Sequence, residues 1–167
     1  MAGGADLFTD SAAVFSPCRK YRYRLWRIWD TNRPSLVMVM LNPSIADDTK
    51  NDPTVERCQR RAIAMGYGAL QVTNIFALVS TDPAALYATD DPVGPANNDA
   101  IREAVKDAGM VLVAWGTHGG HIERAKDVVS LLRNCGVTPY CLGTNADGSP
   151  KHPLYVGYAK EPVPFEL

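Results

Sequence analysis

Three stretches place chemically versatile residues just after apolar runs: Asn42-Pro43-Ser44, Thr73-Asn74 and Trp115-Gly116-Thr117-His118. A fourth, Asn145 with Lys151-His152-Pro153, follows a shorter apolar segment. An amide carries both a donor and an acceptor, and an imidazole can give or take a proton near neutral pH. The acids Asp47, Asp48 and Asp52 follow closely on the first stretch and suit acid/base work or a divalent metal. Each residue also has a purely structural reading. Asn42 can bond a turn before Pro43, Asn74 can end a strand, and His118 and His152 can sit in solvated loops. The acids can cap a turn.

The surrounding elements decide whether these stretches meet. Tyr21–Trp29 alternates aromatic or aliphatic residues with arginines, which predicts a half-buried edge strand whose arginines face solvent. Nucleic-acid binding by stacking and phosphate contact is the other reading of that strand. Leu36–Leu41 is apolar on both faces, as in a central parallel strand. Asp52-Pro53 predicts a helix start, Val55, Cys58, Ala62 and Ile63 a helical face, and Gly66 its end. Further strands are predicted at Ala69–Thr73, Met110–Ala114 and Thr138–Leu142. Helices are predicted at about 97–108 and over Ile122–Leu132, with a short helical turn from Asp82 to Leu86. Residues 1–16 read as a flexible arm and 17–167 as a single α/β domain.

This βαβ alternation predicts a three-layer αβα sandwich around a short, mostly parallel four-stranded sheet, with an N-terminal strand or hairpin added. Ligands of open α/β sheets bind beyond the carboxyl ends of the strands, so all four polar stretches are expected at one crevice. The 167 residues suffice for one core, and 46% hydrophobic with 21% charged residues is ordinary for a globular chain. A net charge of −1 argues against a protein built to grip duplex DNA non-specifically. With no signal-like segment and no long apolar run, a cytoplasmic protein without membrane contact is expected, as a monomer or weak oligomer. Cys18, Cys58, Cys135 and Cys141 form no CxxC pair and read as buried free thiols, not as a zinc or iron–sulfur site.

The ordered set Leu41-Asn42-Pro43-Ser44, Val72-Thr73-Asn74-Ile75-Phe76, Val111–Gly116 and Lys151-His152-Pro153-Leu154 resembles the motifs of the uracil-DNA glycosylase superfamily. Across nearly the whole chain, the patterns LNPSxAD, NDPTVxRC, TNIFALxSTDP, AWG and KHPLY also resemble a bacterial and phage domain family of unknown function. The glycosylase resemblance implies an N-glycosidase-like hydrolase. In it, Asn42 would orient a water, Asn74 would read a base edge, and His152 would donate to a base carbonyl. Phe76 or Trp115 would stack on the base. Pro43, Ser44, Gly116, His118 and Lys151 would complete the substrate-binding wall. No cofactor is implied. The acidic loop beside Asn42 favours a free nucleobase or nucleotide over a nucleic-acid strand. The alternatives are a hydrolase or transferase on a small nucleotide-like ligand, using Asp47, Asp48 and Asp52 with or without Mg²⁺ or Mn²⁺, and a non-catalytic binding module.

Overall fold

The computed structural model describes residues 10–167. Its strands are β1 (Asp10–Phe15), β2 (Arg22–Ile28), β3 (Ser35–Met40), β4 (Ala69–Asn74), β5 (Met110–Val113), β6 (Tyr140–Cys141) and β7 (Val163–Pro164). The α-helices are α1 (Pro53–Ala64), α2 (Ala84–Ala88), α3 (Asn97–Val105) and α4 (Arg124–Asn134).

β3 explains the layering. Leu36, Met38 and Met40 pack with Val55, Cys58 and Ala62 of α1, while Val37 and Val39 pack with Ile101 and Ala104 of α3 and Val128 and Leu132 of α4. Both faces are therefore apolar, and helices cover both. Burying an aliphatic side chain contributes about 1.5–3 kcal/mol, so a one-residue slip of β3 would mismatch both helix layers at once. α1 starts where Asp52 Oδ1 accepts the Val55 N–H at 2.8 Å, with Pro53 at the first helical position. It stops before Gly66, whose φ of +86° few other residues adopt.

The sheet differs from the four-stranded expectation. Among the described residues it has seven strands in the order β1-β2-β4-β3-β5-β6-β7. The run β4-β3-β5-β6 is parallel, β1 and β2 extend it antiparallel on one side, and β7 does so on the other. The supposed arm is also corrected in part. Residues 10–15 are β1, paired with β2 from Asp10↔Ile28 to Phe15↔Arg22, while residues 1–9 lie outside the described residues. β1 needed no apolar alternation of its own, because it gains its backbone hydrogen bonds from the open side of β2.

β2 is not an edge strand, and its arginines do not all face solvent. It lies between β1 and β4, and Arg22 and Arg27 are only 2% and 1% exposed. The register shifts between Val14 and Phe15: Val14 pairs with Arg24 and Phe15 with Arg22, leaving Tyr23 as the extra residue of a β-bulge. The bulge interrupts strict alternation and brings Arg22 inward with Leu25 and Arg27. Two thiols also depart from expectation. Cys58 and Cys141 are buried, but Cys18, in the turn before β2, and Cys135, at the end of α4, are exposed. Burial pushes the Cys58 thiol up to about 12. The last helix is preceded by a 3-10 stretch, Thr117–Glu123, in which Ile122 and Glu123 take positive φ. Among the described residues no helix is long and apolar enough to cross a membrane.

Candidate functional site

The parallel register brings the strand ends level: Met40 lies opposite Asn74, and Val39 opposite Val113. Beyond these ends opens a cavity of about 720 Å³. Asn42, Pro43, Ser44, Asn74, Trp115, Gly116, His118, Asn145, Lys151 and His152 all line it, as does Asp52.

Asn42 is anchored by its amide nitrogen. Nδ2 donates to the carbonyls of Ser80 (2.9 Å), Pro43 (3.2 Å) and Leu78 (3.4 Å). Carbonyls only accept, so their positions fix which end of the amide is nitrogen. Oδ1 is left as an acceptor to which no described residue donates. The structural and functional readings of Asn42 therefore coexist on the two ends of one amide.

Asn74 ends β4 and is 2% exposed. Its Oδ1 faces Arg22 Nη2 at 3.5 Å, and a guanidinium has no acceptor, so the amide orientation is again set by its neighbour. Nδ2 is buried with no partner. The backbone beneath is held firmly. Asn97 Nδ2 donates to the carbonyls of Asn74 and Ile75, and Arg124 Nε donates to that of Ile75 at 2.7 Å.

His152 Nδ1 accepts the Leu154 N–H at 3.2 Å. The neutral ring must then carry its proton on Nε2, the atom left to meet a ligand. Burial lowers its pKa below the ordinary histidine value, and the charge of Asp52 opposes that shift without cancelling it. Two arginines of α1 fasten this loop. Arg57 donates to Pro153 O (2.9 Å) and Val156 O (2.7 Å), and Arg61 donates to Val156 O (3.0 Å). One helix thus sets both Asp52, at its N-cap, and the histidine loop along its side.

Trp115 is 2% exposed and packs edge-on to Phe165. Gly119 presses on the indole: a Cβ there would collide with Trp115 Cδ1. Lys151 and His118 sit at the exposed rim, His118 with Nδ1 3.0 Å from the Tyr87 hydroxyl.

Three expected residues are not in this wall. Phe76 is fully buried in the core, its ring 5.8 Å from that of His121, so it cannot stack on a ligand in the cavity. Asp47 closes its own turn, with Oδ1 accepting from the N–H groups of Thr49 (2.9 Å) and Lys50 (2.8 Å). Those bonds hold its carboxyl below the usual range. Asp48 is exposed, and its carbonyl accepts from the Ser11 hydroxyl. Only Asp52 of the three acids reaches the cavity. Among the described residues no group of three His, Cys, Asp or Glu side chains is gathered to hold a metal ion.

The structure also adds residues that pattern reading missed. Arg22, Thr54, Ser80, Thr81, Pro83, Leu154 and Tyr155 line the cavity. Ser80, Thr81 and Pro83 arrive because the chain after β4 folds back, with Ser80 N–H donating to Pro43 O at 2.9 Å. No periodic signal marks such a return. Tyr155, 83% exposed beside His152, carried a readable signal as the aromatic end of the His-Pro-Leu-Tyr stretch.

Fold and site together define a mixed α/β protein with a cavity of mixed polar and apolar lining at the carboxyl ends of parallel strands. The chain belongs to the family described as protein of unknown function (DUF1643), whose family model matches residues 22–154. No curated protein matches the chain.

Proposed function

We propose that this cavity binds a nucleobase-bearing small ligand and hydrolyses its N-glycosidic bond, on a scaffold resembling that of the uracil-DNA glycosylases. The observation that carries this reading is the complementary polarity of two groups of one cavity wall. Asn42 offers a fixed acceptor, and the neutral ring of His152 offers a donor. A water held on Asn42 Oδ1 attacks C1′ of the sugar. The amide orients it without taking its proton. The C1′–N bond breaks with its electron pair going to the base. His152 Nε2–H stabilises charge on a base oxygen, and the departing base takes up the proton that the water loses. The volume suits a nucleoside or nucleotide, and the acidic Asp47–Asp48 loop next to Ser44 and Asp52 of the wall favours a free ligand over a nucleic-acid strand.

The test is chromatographic detection of free base from a panel of nucleosides, nucleotides and uracil-containing oligonucleotides. Release by the wild-type chain is expected, with Asn42→Ala lowering kcat about 10²-fold or more and KM much less. Absence of release across the panel would remove the hydrolase reading.

A further inference from the structure

Arg22 is used by none of the steps above, and among the described residues it is the buried arginine of the cavity wall. Its side chain is almost wholly buried. Nη1 donates to Ala46 O at 3.0 Å, Nη2 makes only the 3.5 Å contact with Asn74 Oδ1, and Nε has no partner. None of the ion pairs among the described residues includes it. Asp52, the one carboxylate that the described residues bring to the cavity wall, acts on it only at a distance. Burial lowers its pKa to about 10, so it remains a cation at neutral pH. Buried charges are normally paired, because desolvation otherwise costs far more than a lone hydrogen bond returns. The neighbouring Asn74 Nδ2 is a second buried donor with no acceptor. Lys151 brings another positive charge to the same cavity. Two unpartnered donors and an unpaired guanidinium, side by side, call for an oxyanion.

We infer that Arg22 and Asn74 form an anion subsite in the cavity wall, which takes the phosphate group of a nucleotide ligand. This deepens the reading of the cavity as a nucleotide site: the substrate is a phosphorylated nucleotide rather than a free nucleoside. The phosphate oxygens accept from the guanidinium and from Asn74 Nδ2, in charge-assisted hydrogen bonds. The bulge at Tyr23 is what delivers Arg22 to this place, in keeping with the tendency of bulges to re-aim a side chain beside a site.

The experiment measures thermal shift and calorimetric binding with inorganic phosphate, and with one nucleoside and its monophosphate, at two salt concentrations. Phosphate is expected to stabilise the wild-type chain, less so at high salt, and the monophosphate is expected to bind about tenfold or more tightly than the nucleoside. Asn74→Asp supplies Arg22 with an internal carboxylate. It should raise the melting temperature of the free chain and abolish the phosphate shift. Arg22→Met should also abolish the shift, and Arg22→Lys should retain part of it. A wild-type chain that shows no phosphate shift and no preference for the monophosphate overturns the subsite, as does an Asn74→Asp chain that still responds to phosphate. Phosphate binding without base release from any substrate would leave the anion subsite standing and remove the hydrolase reading. Base release without phosphate preference would do the reverse.

Discussion

Arg22 and Arg27 lie on one strand, five residues apart, and both are buried. Their surroundings differ. Arg27 donates four hydrogen bonds: to Asn51 Oδ1 (3.1 Å), Trp26 O (3.0 Å), Asp47 O (2.6 Å) and Lys50 O (3.2 Å). It is a closed cation whose acceptors hold the 47–51 loop in shape. Arg22 reaches the same stretch of chain through Ala46 O, but its Nε has no partner, its Nη2 makes only the long contact with Asn74, and the residue lines the cavity. The same residue type at similar burial therefore serves architecture in one place and stays available in the other. Saturation of hydrogen bonds separates the two where burial does not.

That contrast can be broken by experiment. The largest effect is expected for Arg27→Met, which removes a buried guanidinium and all four of its hydrogen bonds, three of them to part-buried carbonyls, and should cost about 3 kcal/mol in urea unfolding. Arg22→Met should cost clearly less or even stabilise, since it removes a poorly paired buried charge. Equal losses for the two variants would end the distinction. Arg57→Ala comes next. Like Arg27, Arg57 ends on backbone carbonyls, and losing its two bonds to the histidine loop should cost about 1–2 kcal/mol. It should also weaken ligand binding, because His152 loses its support. Unchanged affinity in a destabilised Arg57→Ala chain would show that the loop keeps its shape without this strap.

The smallest effect is a pH dependence. The fold holds His152 below its ordinary value near 6.5. Its contribution to stability is complete above that ordinary value and is lost as pH falls through the lower folded value, because the unfolded chain takes up the proton first. Between about pH 7.5 and about pH 5, the wild-type melting temperature should drop more than that of His152→Gln. Parallel decreases would show that another group carries the titration.

Much of the parallel core was legible in the sequence, because Leu36–Met40 of β3 and all of β5 are continuous apolar runs, β4 is largely apolar, and α1 announces itself with Asp52-Pro53. The gathering of Asn42, Asn74, Trp115 and His152 followed from the rule that such strands bind beyond their carboxyl ends. What could not be read was non-periodic. β1 lacks alternation, β7 is two residues in a loop-like tail, and the bulge at Tyr23 interrupts the alternation from which Arg22 was assigned to solvent. Phe76 was misplaced for a related reason. It lies just beyond β4, where the chain is already turning into the core beneath α3 and α4.

The strand order has a kinetic consequence. β3 enters the sheet between β4 and β5, both later in sequence, and the cavity wall runs from Arg22 to Tyr155. Its assembly therefore waits on contacts between distant parts of the chain, which close slowly. Truncation from either end past β2 or past the Pro153–Tyr155 turn takes away part of the wall. Occupancy of the cavity would accordingly report completed folding of this chain, and no fragment between those limits should retain it.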